Sequence, residues 1–175
     1  MMTYDIIYKD ETDRCYGLTG MAVSMAVFNS EDQILEINID SAPDSIFFSP
    51  EFYFSGNPRC SAKVVWGELA NHYRLALAMA MGNLLSRRVV LQSGGLSEAE
   101  EGGLRDLAIE EGSNVVGLES DEVERLWTKD YEYLKKVFRH PGVQRATKEI
   151  ALEIQKRRII SRQELLELLS VLNRL

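Results

Sequence analysis

The chain contains 175 residues, with 20 Lys or Arg against 27 Asp or Glu and a formal net charge of −7. Its hydrophobic fraction is 45% and its charged fraction is 27%, both ordinary for a soluble globular domain. These values exclude a disordered chain, a collagen-like repeat and a small scaffold held together by disulfides. The length predicts one domain over residues 1–175, large enough to bury a sizeable core.

The sequence lacks the patterns of a secreted or membrane protein. Residues 1–10 have no apolar run, whereas a secretory signal needs one of about 7–15 residues after a basic start. The longest uncharged apolar stretch covers residues 75–86, which is shorter than the ~20 residues that span a membrane. We therefore expect a cytoplasmic protein, in which the isolated Cys15 and Cys60 are free thiols.

Residues 1–56 are predicted to be rich in strands. Within residues 34–40, Leu35, Ile37 and Ile39 alternate with polar neighbours, which is the period of a half-buried strand. A proline at position 50 interrupts the aromatic run that follows and indicates a sheet edge or a bulge there. Aromatic and β-branched residues mark the predicted strands of this part, which are 4–8, 34–40, 46–48 and 52–54.

Residues 21–28 fit two structures. Met21, Val23 and Met25 alternate as in a strand, but the apolar residues of this segment fit a helical period equally well. The polar loop 29–32 before the next strand is typical of a hairpin. This favours a strand over residues 21–28.

Residues 57–175 are predicted to be helical. Asn57 followed by Pro58 is typical of an N-cap with proline at the first helical position. The helix that starts here extends to about Val90, and its segment Leu75–Met81 is apolar on every side. A helix tolerates this only when its neighbours cover all its faces, so we predict the central helix of a bundle.

Shorter helices are predicted around the central one. Capping boxes at Ser97–Glu100 and Ser161–Glu164 each begin a helix. Asp121 is predicted to cap another, which Pro141 stops, and a further helix covers residues 143–158. The predicted fold is therefore α+β and mainly α, a helical bundle around a long central helix with a small N-terminal sheet.

The junction between the two parts has the most distinctive sequence in the chain. Aromatic residues 52–54 lead through a glycine turn into the helix start, where Arg59 and Lys63 share one face. The free N–H groups of a helix N-terminus, together with two cations, can hold a phosphate or carboxylate. No glycine-rich phosphate loop precedes them, so an edge strand, a tight turn and two solvated charges are the simpler interpretation. The candidate ligand-binding residues here are Tyr53, Asn57, Arg59 and Lys63.

Three segments carry a resemblance: residues 52–59 followed by 61–63, residues 17–21, and residues 138–144. In these the chain resembles a small bacterial protein family without an assigned function, over most of its length. The resemblance implies a bacterial cytosolic protein and carries no catalytic residue across.

No catalytic residue, metal site or cofactor is predicted. Glu68 and His72 are four residues apart, but His72 falls on an apolar face, where a partly buried histidine with one hydrogen-bond partner is the simpler interpretation. His140 is predicted at a helix end, where a protonated imidazole interacts well with the helix dipole. The chain has no nucleophile elbow, phosphate loop or dinucleotide motif.

Charge is unevenly distributed along the chain. Residues 1–128 contain 9 basic and 21 acidic side chains, whereas residues 129–175 contain 11 basic and 6 acidic ones. A basic C-terminal part can bind nucleic acid, but the whole-chain charge opposes phosphate attraction. An equally good explanation of Arg158 and Arg162 is that they face acidic residues of the same molecule or of a partner.

The last helix has more apolar residues than one stripe requires. Such a surplus suggests packing against another chain, and the alternative is a terminal helix covered by its own domain. The candidate interface residues are Leu165, Leu168, Leu169 and Leu172. The favoured function is a non-catalytic interaction or scaffold protein that binds a protein partner or a second copy. The alternative is a small-molecule or anion-binding protein, conceivably an enzyme, that uses residues 52–63, and nucleic-acid binding ranks third.

Overall fold

The computed structural model describes residues 6–53 and 62–175, within which it has six α-helices and a three-stranded sheet. The chain is thus α+β and mainly α, as predicted. The helices are α1 Glu11–Val27, α2 Ala62–Leu85, α3 Glu98–Glu111, α4 Ser120–Arg139, α5 Pro141–Arg157 and α6 Arg162–Leu169. The strands are β1 Ile34–Asn38, β2 Ile46–Phe48 and β3 Ile159–Ser161. Two helices continue into π-helical turns, α2 over Ser86–Leu91 and α3 over Gly112–Val116.

Residues 21–27 are helical, so the strand predicted over 21–28 is wrong. They form the second half of α1, which begins where the Asp10 carboxylate accepts a hydrogen bond from the Asp13 N–H at 2.8 Å. Gly20 of α1 and Gly82 of α2 meet where the two helices cross, and a Cβ on either glycine would overlap the backbone of the other. Most of α1 is buried, so its sequence is apolar or small on several faces at once and its period does not separate strand from helix.

The sheet has β1 at its centre, with β2 and β3 as antiparallel neighbours. Ile37 of β1 pairs with Ile46 on one side and Ile160 on the other, and all three side chains are buried. They form the core face of the sheet. The third strand was not predicted, because a three-residue strand between two helices leaves too little periodicity to detect.

The strand predicted over 34–40 is confirmed as far as Asn38, and the one over 46–48 is confirmed over its whole length. Residues 6–8 lie in no strand, and Phe52 and Tyr53 lie in a turn after β2. Residues 4–5 and Phe54 lie outside the described residues. Within residues 6–53, α1 is longer than β1 and β2 together, so this part is not mainly strands.

α2 is the central helix, as predicted. Residues 75–87 are buried with the single exception of the half-buried Ala76. The predicted start at Asn57 and Pro58 lies outside the described residues. The helical path ends with the π-helical turn at Leu91, one residue after the predicted end.

The predicted capping boxes at Ser97 and Ser161 are both present at the starts of α3 and α6. The predicted cap of α4 is wrong, because Glu119 occupies the N-cap position and Asp121 lies in the first turn. Glu119 forms its own capping box with Glu122, which ordinary N-cap preferences for Ser, Thr, Asp and Asn do not indicate.

One contiguous apolar core joins α1, the sheet and the helices that follow. Leu134 and Phe138 of α4 and Ile150 and Ile154 of α5 belong to its most buried part. Among the described helices, none combines the length and the apolar character needed to cross a membrane.

Candidate functional site

The predicted ligand-binding junction is described only on its aromatic side. Phe52 is buried and stacks on Phe48 with ring centroids 4.1 Å apart, and Tyr53 is exposed beside them. Asn57 and Arg59 lie outside the described residues, and so does the side chain of Lys63, whose backbone belongs to α2. Tyr53 therefore lies in an aromatic cluster with Phe48 and Phe52.

His72 packs against this aromatic cluster and has the predicted structural role. Its Nδ1 donates a hydrogen bond to the Phe52 carbonyl oxygen at 2.7 Å, and its ring lies 4.7 Å from the Phe52 ring. The side chain is partly buried. His72 thus fastens α2 to the turn after β2.

The predicted interface leucines, three in α6 and Leu172 in the 3₁₀ turn Ser170–Arg174 that follows it, face the interior of the chain. Leu165 and Leu169 are buried in the core, and Leu168 and Leu172 are partly buried against it. Covering by the same domain was the alternative explanation of the leucine surplus, and it accounts for these four side chains. Val171 and Leu175 remain exposed at this end.

Two cations of the basic C-terminal cluster are paired within the chain. Arg158 contacts Asp40 at 2.5 Å and Glu11 at 3.2 Å, and Arg157 contacts Glu153 at 2.6 Å. Hydrogen bonds that the two guanidinium groups donate to these carboxylates raise the pKa of both. Arg158 therefore faces acidic residues of its own molecule, as the sequence allowed.

A groove of about 330 Å³ lies between α2 and α4 and has no counterpart among the predicted sites. Trp66 lies near Val116 at one end, and Arg74 contacts Asp130 at the other, so the two helices run in the same direction along it. The lining residues are Trp66, Ala70, Asn71, Tyr73 and Arg74 from α2, with Leu118, Glu122 and Leu126 opposite.

Two aromatic side chains of α2 bind α3 and the π-helical turn that follows it. The indole Nε1 of Trp66 donates to the Val116 carbonyl oxygen at 3.2 Å, and the Tyr73 hydroxyl donates to the Ala108 carbonyl oxygen at 2.7 Å. Burial, assisted by the charge of Glu111, raises the pKa of Tyr73 to about 12. Tyr73 is therefore a hydrogen-bond donor at all physiological pH values.

The opposite end of the groove is built on a two-point ion pair. Arg74 Nε and Nη2 donate to the two carboxylate oxygens of Asp130 at 2.6 and 2.7 Å. The same guanidinium lies 4.6 Å from the centre of the Phe28 ring, and Phe28 contacts Tyr133 edge to face. Hydrogen bonding to Asp130 raises the pKa of Arg74, so the guanidinium stays charged.

The groove could not be predicted from the sequence because its two walls are far apart along the chain. Trp66, Ala70 and Tyr73 fall on one face of α2, but the facing wall comes from residues more than forty positions away. Only the pairing of α2 with α4 makes an open groove of these two stripes. The detectable signal was Trp66 itself, a large aromatic near the polar first turns of a helix that is otherwise apolar.

The described residues contain no group of three or more His, Cys, Asp or Glu side chains placed to hold a metal ion. Cys15 is a buried free thiol, and burial raises its pKa to about 11, which makes it unreactive at neutral pH. Cys60 lies outside the described residues. In comparisons with known proteins, neither a family model nor a curated protein matches this chain.

Proposed function

We propose that this chain is a non-catalytic interaction protein that binds a segment of a partner protein in the groove between α2 and α4. The observation that carries the proposal is Trp66. Its side chain is 51% exposed, yet its indole is held in place by the hydrogen bond to Val116. An aromatic group that is already ordered loses little conformational entropy when a partner covers it.

The composition of the groove supports the same function. Trp and Arg are among the residues that most often dominate binding energy at protein interfaces, and Trp66 and Arg74 line this groove beside the buried Tyr73. Leu118 and Leu126 add apolar surface opposite them. A small-molecule site usually encloses most of its ligand, whereas the lining residues Trp66, Asn71 and Glu122 are exposed, which favours a polypeptide segment.

The binding free energy expected from Trp66 determines how large an effect its substitution should have. Covering its exposed half removes roughly 100 Å² from water, which is worth about 2.5 kcal/mol at ~25 cal/mol per Å². That free energy corresponds to roughly a 60-fold change in Kd. Trp66→Ala should therefore weaken partner binding by this order.

A peptide selection tests the proposal without a known partner. Displayed peptides are selected on the wild-type protein, and the enriched ones are titrated against Trp66→Ala and Asn71→Arg. Asn71 is an exposed lining residue, so its substitution adds bulk and charge to the groove without removing a core contact. Leu152→Ser is the matched control, since Leu152 is an exposed apolar residue on α5 outside the groove.

The proposal predicts that selected peptides lose affinity for both groove variants and keep it for Leu152→Ser. Circular dichroism and urea unfolding of each variant confirm that the fold is retained. Peptides that bind all variants equally would show that the groove is not the binding site.

The alternative, an anion or small-molecule site at residues 52–63, keeps one structural observation, the exposed aromatic ring of Tyr53. Titration of inorganic phosphate into the wild type, Arg59→Ala and Lys63→Ala decides this alternative. Weaker binding by the variants would support it, and equal weak binding by all three proteins would remove it.

A further inference from the structure

We infer that the partner segment is a basic amphipathic helix, with one apolar stripe for the groove and Lys or Arg on its flanks. This inference rests on the proposed function and adds the chemical class of the partner. It is argued from the shape of the groove, from the charge of its walls and from the aromatic group at one end.

The shape of the groove favours a helix. Its walls are two helices that run in the same direction, and helices pack side by side with their side chains interlocked. Trp66 and Arg74 are eight positions apart on α2, which corresponds to roughly 12 Å along the axis, or about two helical turns. An amphipathic helix places an apolar residue every three or four positions along such a length.

The chain opposite Trp66, from the π-helical turn to the start of α4, is negative. Residues 112–124 contain four Asp or Glu and no Lys or Arg, and Glu119 and Glu122 are exposed there. Glu122 lines the groove, and Glu111 lies close enough to Tyr73 to affect its titration. A partner with negative flanks would be repelled here, whereas Lys or Arg on the flanks would be attracted.

Three arginines of this region form ion pairs within the chain. Arg74 is paired with Asp130, Arg105 with Glu124 and Arg125 with Asp121. Lys129, one turn after Leu126 on α4, is exposed and lies towards the Arg74 end. The negative charge is therefore greatest at the Trp66 end of the groove.

Trp66 provides a second point of attraction for a cation at that end. A Lys or Arg side chain over an indole face is attracted by the ring electrons. Half of this indole is open to solvent. A basic residue one turn away from an apolar anchor can therefore contact Trp66 and Glu122 together.

Designed peptides test this inference directly. Three helical peptides of about 18 residues share the same leucine stripe and carry Lys and Arg, Gln, or Glu on the remaining positions. A fourth has the basic composition in a scrambled order without a stripe. Fluorescence anisotropy measures their binding to the full chain at about 50 mM and about 300 mM NaCl.

We expect the basic amphipathic peptide to bind about tenfold more tightly than the Gln peptide at low salt, with a smaller ratio at high salt. Glu122→Gln should reduce this ratio several-fold, since glutamine keeps the capping box but removes the charge. Glu149→Gln, an exposed acidic position on α5, is the matched control and should leave the ratio unchanged. Trp66→Ala should weaken the basic peptide and leave the scrambled one unaffected.

The inference fails if the Gln or Glu peptide binds as tightly as the basic one, or if the scrambled basic peptide does. If the Gln or Glu peptide binds as tightly as the basic one but its binding still depends on Trp66, the proposed function stands. If no designed peptide shows a dependence on Trp66, the inference is overturned, and the selected peptides decide separately whether the groove binds any partner.

Discussion

Asp13 of α1 and Arg87, in the π-helical turn after α2, form an ion pair in the interior of the protein. Arg87 Nε donates to Asp13 Oδ1 at 2.8 Å and Arg87 Nη2 to Asp13 Oδ2 at 2.5 Å. The two side chains are only 4% and 2% exposed. Arg87 also donates to the Ile7 carbonyl oxygen and to Asn83, and its guanidinium lies 4.9 Å from the centre of the Tyr8 ring. The pair thereby fixes the segment before α1 onto the central helix.

Loss of one partner of this pair should strongly destabilise the fold. Arg87→Met leaves the Asp13 carboxylate buried without a counter-charge, and breaking a buried pair in this way costs about 3–5 kcal/mol. The free energy of unfolding in urea measures the effect. The double substitution Asp13→Leu with Arg87→Met should lose much less, because it removes both buried charges. A single substitution that changes stability by less than about 1 kcal/mol would show that water already reaches the pair.

Asp13 should also contribute to the acid sensitivity of the fold. Burial alone would raise its pKa, but hydrogen bonds from Arg87 and from the Lys9 N–H outweigh burial and lower the pKa below its ordinary 3.8. The corresponding stability is fully present above pH 3.8 and is lost as the pH falls through the lowered pKa of the folded state.

The pH dependence is tested by comparing unfolding free energies of the wild type and Asp13→Asn between neutral pH and the acid transition. The wild type should lose stability more steeply below pH 3.8, and Asp13→Asn should lack this part of the slope. Asp40→Asn is the control, since the Arg158 hydrogen bond also lowers the pKa of Asp40 but the carboxylate is exposed. High salt should suppress the Asp40 effect and leave that of Asp13. Equal slopes for the wild type and Asp13→Asn would contradict the assignment.

The error at α1 shows where prediction from periodicity fails in this chain. The period distinguishes strand from helix only when one side of the element is polar. Gly20, Ser24 and Ala22 are buried along with Val23 and Met25, so apolar or small residues occur in both patterns. By contrast, Ile34–Asn38 has one exposed and one buried side, and it was predicted correctly.

The crossing of α1 and α2 predicts opposite effects for two glycines of the same helix. Gly82→Ala places a Cβ onto Ser24 Oγ and the Gly20 carbonyl oxygen, which forces the helices apart and should cost about 3 kcal/mol or more. A Cβ on Gly67 meets no atom within 4 Å, so Gly67→Ala should stabilise the exposed part of α2 by about 0.5–1 kcal/mol. Thermal unfolding of both variants measures the difference. Two changes of the same sign would show that this crossing is not as close as described.

The central helix was predicted from its start signal and from the apolar segment Leu75–Met81, and its burial can be tested by hydrogen exchange. The amides of residues 75–81 lie in the buried part of α2 and should exchange at rates close to those of global unfolding. Residues 98–103 form the first turns of α3, where every residue is exposed or partly buried and a Cβ added at either glycine would meet no atom within 4 Å. Their amides should exchange far faster. Rapid exchange at 75–81 in the native protein would contradict a central buried helix.

The candidate site was less predictable than the fold, because a groove belongs to two elements. The sequence shows that Trp66 follows the helical period of Ala70 and Tyr73, but it does not show whether another helix covers them. The buried ion pair of Asp13 and Arg87 is equally hard to predict from the sequence, since 74 positions separate the two residues. Local patterns specify which side chains share a face, whereas the distance between faces depends on small residues such as Gly82.

Leu172, in the 3₁₀ turn after α6, provides the last test, which separates a covered C-terminal segment from an interface between copies. Leu172 packs against the core of its own chain, so Leu172→Asp should lower the unfolding free energy by about 1–3 kcal/mol and leave the mass in solution unchanged. Val171 is 39% exposed, and Val171→Asp should leave both quantities nearly unchanged. Light scattering together with urea unfolding measures them. A smaller mass for Leu172→Asp with undiminished stability would instead assign this face to a contact between two copies, because only then would the leucine be buried by a neighbour and not by its own domain.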